Sequence, residues 1–381
     1  MFEKINVVMQ NQTSASGESV KRIPAYDGIR GLAVVMVLIW ACFNNLIVEK
    51  NLPLAKFFLY STNKFWTGVD LFFVLSGFLL GGILLKQKDS KNYFSTFYIR
   101  RICRIFPLYY FFLLLYYFLF HSNIRLTMPW VFSNTLPYWS YASFTQNFMM
   151  AKYKSIGSHS MEPTWSLATE EQFYLFIPLI IFLLRDKKLL VFIGLASVAA
   201  LFFRYTAANW YAAFSFLHCR ADSFLLGVAA AYLTTNQQTK KILEENKIKF
   251  YQVFYALFIV LAANSFKIIT NNYYFTYSLQ AIFYAQLIMI PAVDTTSKIV
   301  SFLKNGLLRF AGKYSFGLYI YHNFILGVVH YLILKQAPQI SNWTNLMVTF
   351  LAMLVLFIIS ILSYHLFEKR IIAWGHKFRY N

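Results

Sequence analysis

Ten times over, the chain repeats an apolar run of near 20 residues: at about 31–48, 68–85, 105–121, 171–184, 189–207, 214–234, 250–265, 273–291, 314–334 and 345–366. A helix of about 20 residues crosses the roughly 30 Å of hydrocarbon in a bilayer. The runs are continuous rather than alternating, so they read as helices and not as strands of a barrel. Charged residues make up only 13% of the chain and aromatic residues 20%, against about one quarter charged in an average soluble domain. The expectation is an all-α polytopic membrane protein with about ten transmembrane helices.

A formal net charge of +20 invites a nucleic acid as partner, so its distribution decides. With the N-terminus placed in the cytoplasm, 25 of the 35 Lys and Arg residues fall on the cytoplasmic side and 10 on the other. That asymmetry follows the positive-inside rule, puts both termini in the cytoplasm and makes a nucleic acid unnecessary. Residues 1–22 read as a polar cytoplasmic tail without a secretory apolar core, 23–371 as one membrane domain and 372–381 as a short basic tail. Residues 122–168 read as a long outer loop. Cys42, Cys103 and Cys219 have no metal-ligand spacing and read as small buried hydrophobes, so neither a metal site nor a disulfide framework is expected. The tripeptide "NWT" at 342–344 fits a glycosylation sequon, a weak signal.

A charge in mid-bilayer costs at least about 2.5–3.5 kcal/mol, so a retained one needs a partner or a task. Arg30 stands with Asp27 at the mouth of the first run. Eleven residues on, at about 16 Å and within about 20° of the same stripe, lies Ala41. From spacing alone Arg30 is either an interfacial anchor or part of a ligand site. "GVDLFFVLSGFLLGG" places Asp70 at an outer helix end and Ser76-Gly77 half-way down, where close packing and substrate contact both fit. In "FYIRRICRIFPLYY", Arg101 and Arg104 share a face ahead of Pro107, which suits a helix start. Two guanidiniums there make a fork for phosphate, of a ligand or of a lipid.

In "EPTWSLATEEQFYLF", Ser166 or Thr169 can cap a helix whose first turn holds Glu170 and Glu171, and two acids are more than capping needs, which favours a polar site at the outer surface. "HCRADSFLLG" offers Arg220 and Asp222 as a structural pair. His322 sits well inside the ninth run, either as a packing residue or as part of a site. Glu368 closes the last run, where an ion pair with a nearby Arg would suffice. These charges alone suit a transporter as well as a transmembrane transferase.

Taken together and in this order, the segments resemble the acyltransferase-3 family of integral membrane O-acyltransferases. The resemblance is carried by "YDGIRGLAVVMVLIW", "GVDLFFVLSGFLL", "RRICRIFP", "TWSLATEEQFY", "RADSFLLG", "KYSFGLYIYHNF" and "FEKR", which run from about residue 24 to 370. It implies a ten-helix domain that takes an acyl group, commonly acetyl, from cytoplasmic acyl-CoA. The group goes to a hydroxyl of an extracytoplasmic glycan, lipid-linked or surface-bound, such as lipopolysaccharide O-antigen, across a bacterial inner membrane. Acetyl-CoA is then a co-substrate, with no permanently bound cofactor and membrane lipids as surroundings. No fused hydrolase-like domain follows the last run, which fits the stand-alone type.

By the same resemblance Arg30 opens the family's Arg-x10-His motif, and Arg101 and Arg104 match its Arg-x-x-Arg motif for coenzyme A phosphates. Asp70, Ser76, Glu170, Arg220 and His322 fall on further characteristic positions: Asp70 and Glu170 beside the catalytic base, Ser76 on the donor side. The departure is at position 41, where the family's mid-membrane histidine is replaced by Ala41. Alanine accepts no proton, so the chain as written is expected to be disabled. Replacement to trap an unreacted complex, a natural inactive paralogue, and Glu170 or His322 as substitute base remain open at this point, as do a glycolipid transporter and a non-catalytic sensor.

Overall fold

The computed structural model describes residues 23–48, 53–268 and 273–381; the polar tail expected at 1–22 lies outside them. Ten long helices are present: α1 (Pro24–Cys42), α2 (Gly68–Lys86), α3 (Tyr93–His121), α4 (Thr164–Leu183), α5 (Asp186–Thr206), α6 (Leu217–Thr235), α7 (Lys247–Ser265), α8 (Tyr273–Val293), α9 (Ser315–Leu334) and α10 (Trp343–Ser363). Among the described residues there is no strand, only an isolated bridge pairing Ile47 with Ile340. Among the described residues, nine helices are long and apolar enough to cross a membrane. The remaining one, α6, carries Arg220 and Asp222. It packs against α2, α5 and α8.

The starts of α1 and α2 follow local rules. Pro24 occupies the first turn of α1, where its missing N–H costs nothing, and Asp27 complements the dipole there. Helix α2 is apolar nearly all round, the pattern of a helix surrounded by protein. Two-thirds of its apolar window is buried, as is 72% of that of α9, whereas α5 and α7 bury only 22%. Helices α2, α6 and α9 therefore form the interior, and α5 and α7 face lipid.

Close approach of α2 and α6 needs their glycines. A methyl group on Gly77 would overlap the Phe224 carbonyl, and one on Gly227 the Val74 carbonyl. Small residues at such a crossing are what van der Waals packing in lipid requires. Gly28 and Gly31 of α1 do the same against the short segments Lys298–Leu303 and Gly306–Lys313.

Several boundaries differ from the sequence reading. Helix α3 begins at Tyr93, so Pro107 lies inside it rather than at its start. Residues 122–163 are no open loop. They fold into four short helices, tied down by Tyr116 donating to Ser158 Oγ (2.8 Å), Gln146 to the Thr164 carbonyl (2.8 Å) and Asn147 to the Ser215 carbonyl (3.1 Å). Asn342 of the "NWT" tripeptide caps α10, accepting from the Asn345 amide at 2.9 Å. Past Ser363 the chain makes one π turn, Tyr364–Glu368, then the helix Lys369–Gly375. The last residues fold back on α3: Arg100 donates to the Phe378 carbonyl (2.8 Å), and Asn92 and Asn381 are joined at 2.9 Å. The three cysteines are free and buried.

Gly77→Ala is expected to lower the melting temperature of the detergent-solubilised protein, because overpacking of this kind costs about 1–3 kcal/mol. Gly194→Ala, where a methyl group meets open space, should leave it unchanged or raise it. Equal melting temperatures for the two variants would show that the α2–α6 crossing tolerates a side chain.

Candidate active site

Helices α1, α2, α3, α4 and α9 enclose a cavity of about 110 Å³. Arg30 of α1 and Arg101 and Arg104 of α3 bring three guanidiniums to it, with Ser76 of α2, Ser166, Glu170 and Tyr174 of α4 and Ser315 and Tyr319 of α9 on its wall. Phe72 and Phe73 supply apolar surface.

Helical spacing accounts for the arrangement. Arg101 and Arg104 are three apart, and Glu170 and Tyr174 four apart, so each pair lies on one face. Glu170 Oε1 accepts from both Ser76 Oγ and Tyr174 OH, and Tyr174 also lies 3.1 Å from Ser76 Oγ. One carboxylate thus ties α4 to α2. It is not an outer-surface group: Ser76 stands half-way along α2, and Glu170 lies within electrostatic reach of Arg101 and Arg104. Nor do Ser166 and Thr169 cap the helix, which starts at Thr164. Ser166 bonds the Pro163 carbonyl (3.1 Å) and Tyr319 OH (2.7 Å), and Thr169 the Ser215 carbonyl (2.8 Å).

Arg30 is bonded to Asp27 at 3.3 Å while still lining the cavity. Arg101 and Arg104 form no hydrogen bond or salt bridge among the described residues. Their donors are available to an anion, and a fork of two guanidiniums recognises phosphate in two dimensions.

Other expected positions lie outside the cavity wall. Arg220 does not pair with Asp222. It pairs with Asp70 of α2, both fully buried, and its guanidinium carbon lies 3.9 Å from the Tyr277 ring centre. Asp222 is instead held by Arg204 of α5, with both carboxylate oxygens engaged (3.0 and 2.8 Å) and Ser278 of α8 donating to it. Residues two apart on a helix point about 200° away from each other, which forbids the pairing expected from sequence. His322 is buried with Nδ1 at 2.7 Å from the Tyr319 carbonyl. Ala41 lies in the last turn of α1, nearer the helix end than its middle, buried in the apolar core. Glu368 is buried and accepts from Ser363 at 3.0 Å.

The model of the acyltransferase-3 family, described as an acyltransferase domain, matches residues 23–365. The chain belongs to this family. A Staphylococcus aureus (strain COL) protein named "Putative O-acetyltransferase" is 26% identical over 363 residues, covering 87% of this chain and 55% of its own length. The "Peptidoglycan O-acetyltransferase OatA" of Listeria monocytogenes is 28% identical over 376 residues, covering 93% of this chain and 56% of that protein. A "Putative acetyltransferase" of Acidianus two-tailed virus is 28% identical over 324 residues, 81% of this chain and 86% of that one. The chain spans about half the length of the two bacterial relatives. No solved structure matches.

Two wall residues escape a reading by charge. Tyr174 and Tyr319 are neutral and sit among dozens of aromatics; the i+4 spacing from Glu170 was the available signal for the first. Arg204, in the last turn of α5, is fully buried.

Removing one member of a buried ion pair leaves an uncompensated charge, at about 3–5 kcal/mol. Asp70→Asn should therefore sharply reduce the folded yield, and Asp70→Asn with Arg220→Met should recover much of it. If the single variant folds as well as the parent, the pair does not hold α2 against α6.

Proposed function

We propose that this chain is an O-acyltransferase that moves an acyl group, acetyl in the simplest case, from acyl-CoA to a hydroxyl of a glycan across a bacterial inner membrane. The acceptor is a lipid-linked or surface glycan of the lipopolysaccharide O-antigen kind. The observation that carries the reading is the convergence of Arg30, Arg101 and Arg104 on one cavity that also holds Ser76, Glu170 and Tyr174. Coenzyme A carries three phosphates at one end and a thioester at the other. Guanidiniums near the Lys- and Arg-rich end suit the first, and an apolar and hydroxyl-lined interior suits the second.

In the reaction a base takes the acceptor hydroxyl's proton, the oxygen attacks the thioester carbonyl, the C–S bond breaks, and the coenzyme A thiolate leaves to be protonated. Glu170 keeps Ser76 and Tyr174 oriented at the cavity wall. Family resemblance puts the base at position 41, where Ala41 has no proton acceptor, and losing a general base costs about 10²–10⁴-fold.

Arg101→Ala and Arg104→Ala should each weaken acetyl-CoA binding about 10- to 100-fold, from the loss of a charge-assisted hydrogen bond of about 1.5–3 kcal/mol. Affinity unchanged in both variants would overturn the donor site and leave a carrier indifferent to coenzyme A. Ala41→His should raise glycan-dependent release of free coenzyme A by about 10²–10⁴-fold over the chain as written. Equal turnover with and without the histidine would place the base elsewhere.

A further inference from the structure

Of the hydroxyls on the cavity wall, those of Ser76 and Tyr174 meet a carboxylate: both donate to Glu170 Oε1. Ser166 and Tyr319 instead bond each other at 2.7 Å. A serine hydroxyl is a weak nucleophile until a neighbouring base can take its proton, and the signature of an activated one is a hydrogen bond to that base. Ser76 has that bond. Tyr174 is the third group that such an arrangement requires, fixing the base by its own bond to Glu170 and standing 3.1 Å from Ser76 Oγ.

Ser76 is also open to attack a substrate. A hydroxyl oxygen has two lone pairs, and Tyr174 can occupy one of them at most, so another is free. Ser76 and Glu170 are both partly exposed and line the cavity with Arg30, Arg101 and Arg104, whereas Tyr174 is only 4% exposed. Tyr174 therefore braces, and Ser76 faces the space. The next residue, Gly77, packs its backbone on the Phe224 carbonyl of α6, which holds this turn of α2 in place.

We propose that Ser76 is a nucleophile that takes the acyl group from acyl-CoA and carries it as an ester, with Glu170 as its base. The assignment rests on the transferase reading and divides the displacement described there into two. In the first step the Ser76 proton passes to Glu170 and Oγ bonds to the thioester carbonyl carbon. The C–S bond breaks, and the coenzyme A thiolate leaves with the proton from Glu170. In the second, the glycan hydroxyl attacks the acyl-serine carbonyl, the bond to Ser76 Oγ breaks, and the hydroxyl's proton ends on Oγ. A thioester is a stronger acyl donor than an oxygen ester, so the first step runs downhill and the second exchanges one ester for another. Ala41 supplies no base for the second step, so the ester persists in the chain as written.

The test incubates this chain in lipid nanodiscs, without glycan, with acetyl-CoA labelled in its acetyl group, and locates the label by tandem mass spectrometry. An acetyl ester on Ser76 is expected, with stoichiometric release of coenzyme A. Ser76→Ala should lose the label, and Glu170→Gln should slow its appearance by about 10²–10⁴-fold. Ser76→Cys should regain it as a thioester, which neutral hydroxylamine cleaves while sparing the serine ester. The unaltered chain should also exchange labelled coenzyme A into acetyl-CoA with no glycan present, which a single displacement cannot do. Acetyl-CoA bound with no residue acetylated, or label on Tyr174 or any other side chain, would overturn the nucleophile, and neither result depends on a variant folding. Failure of the unaltered chain to bind acetyl-CoA would instead overturn the transferase reading.

Discussion

The buried pair of Asp70 and Arg220 ties together the two helices on which the interior is built. A guanidinium stays charged under any condition a membrane offers, so it must be met by an opposite charge wherever it is buried. Asp70 meets it from α2, and Arg204 meets Asp222 from α5. Helix α6, the least apolar of the ten, is therefore held among α2, α5 and α8 instead of facing lipid. Gly77 and Gly227 let the two backbones close on each other around that pair. Position 76 lies about 120° round α2 from position 70. The charge pair thus turns Ser76 away from α6 and toward α4.

From there the site is a matter of depth. Glu170 is six residues into α4 and Arg101 eight into α3, so neither lies at the end of its helix. The carboxylate, three guanidiniums and five hydroxyls line one cavity within the bundle, where water is scarce and electrostatic interactions are strong. The folded segment 122–163 brings His159 and Glu162 inward to Asn323, near the middle of α9. Polar groups thereby enter the bundle both at the arginine-lined cavity and at the segment that precedes α4.

The helices were legible because hydrocarbon thickness fixes their length, and ten runs of near 20 residues became ten long helices. Their edges were less so. Helices α3 and α4 start at Tyr93 and Thr164 rather than near 105 and 171, because polar residues in those turns face protein and cavity instead of lipid. The shared face of Arg101 and Arg104 followed from spacing, whereas their meeting with Arg30 was expected from the family resemblance alone. Partners across helices did not: nothing in "HCRADSFLLG" says that Arg220 reaches Asp70, 150 residues away. Order along a chain carries no record of which helices are neighbours. Tyr319 was hidden for the same reason.

The π turn at Tyr364–Glu368 makes the end of the chain sensitive to counting. A π turn is an α-helix holding one extra residue. The extra residue sets the direction in which Glu368 points, and it passes that rotation on to Lys369–Gly375, whose Gly375 packs against Cys103 of α3. A one-residue deletion here would leave a continuous, regular helix and yet turn every later side chain by about 100°. Insertions and deletions, harmless in most connections, would in this stretch act like a change of thread on a screw, moving the last helix off the face of α3 that carries the arginines.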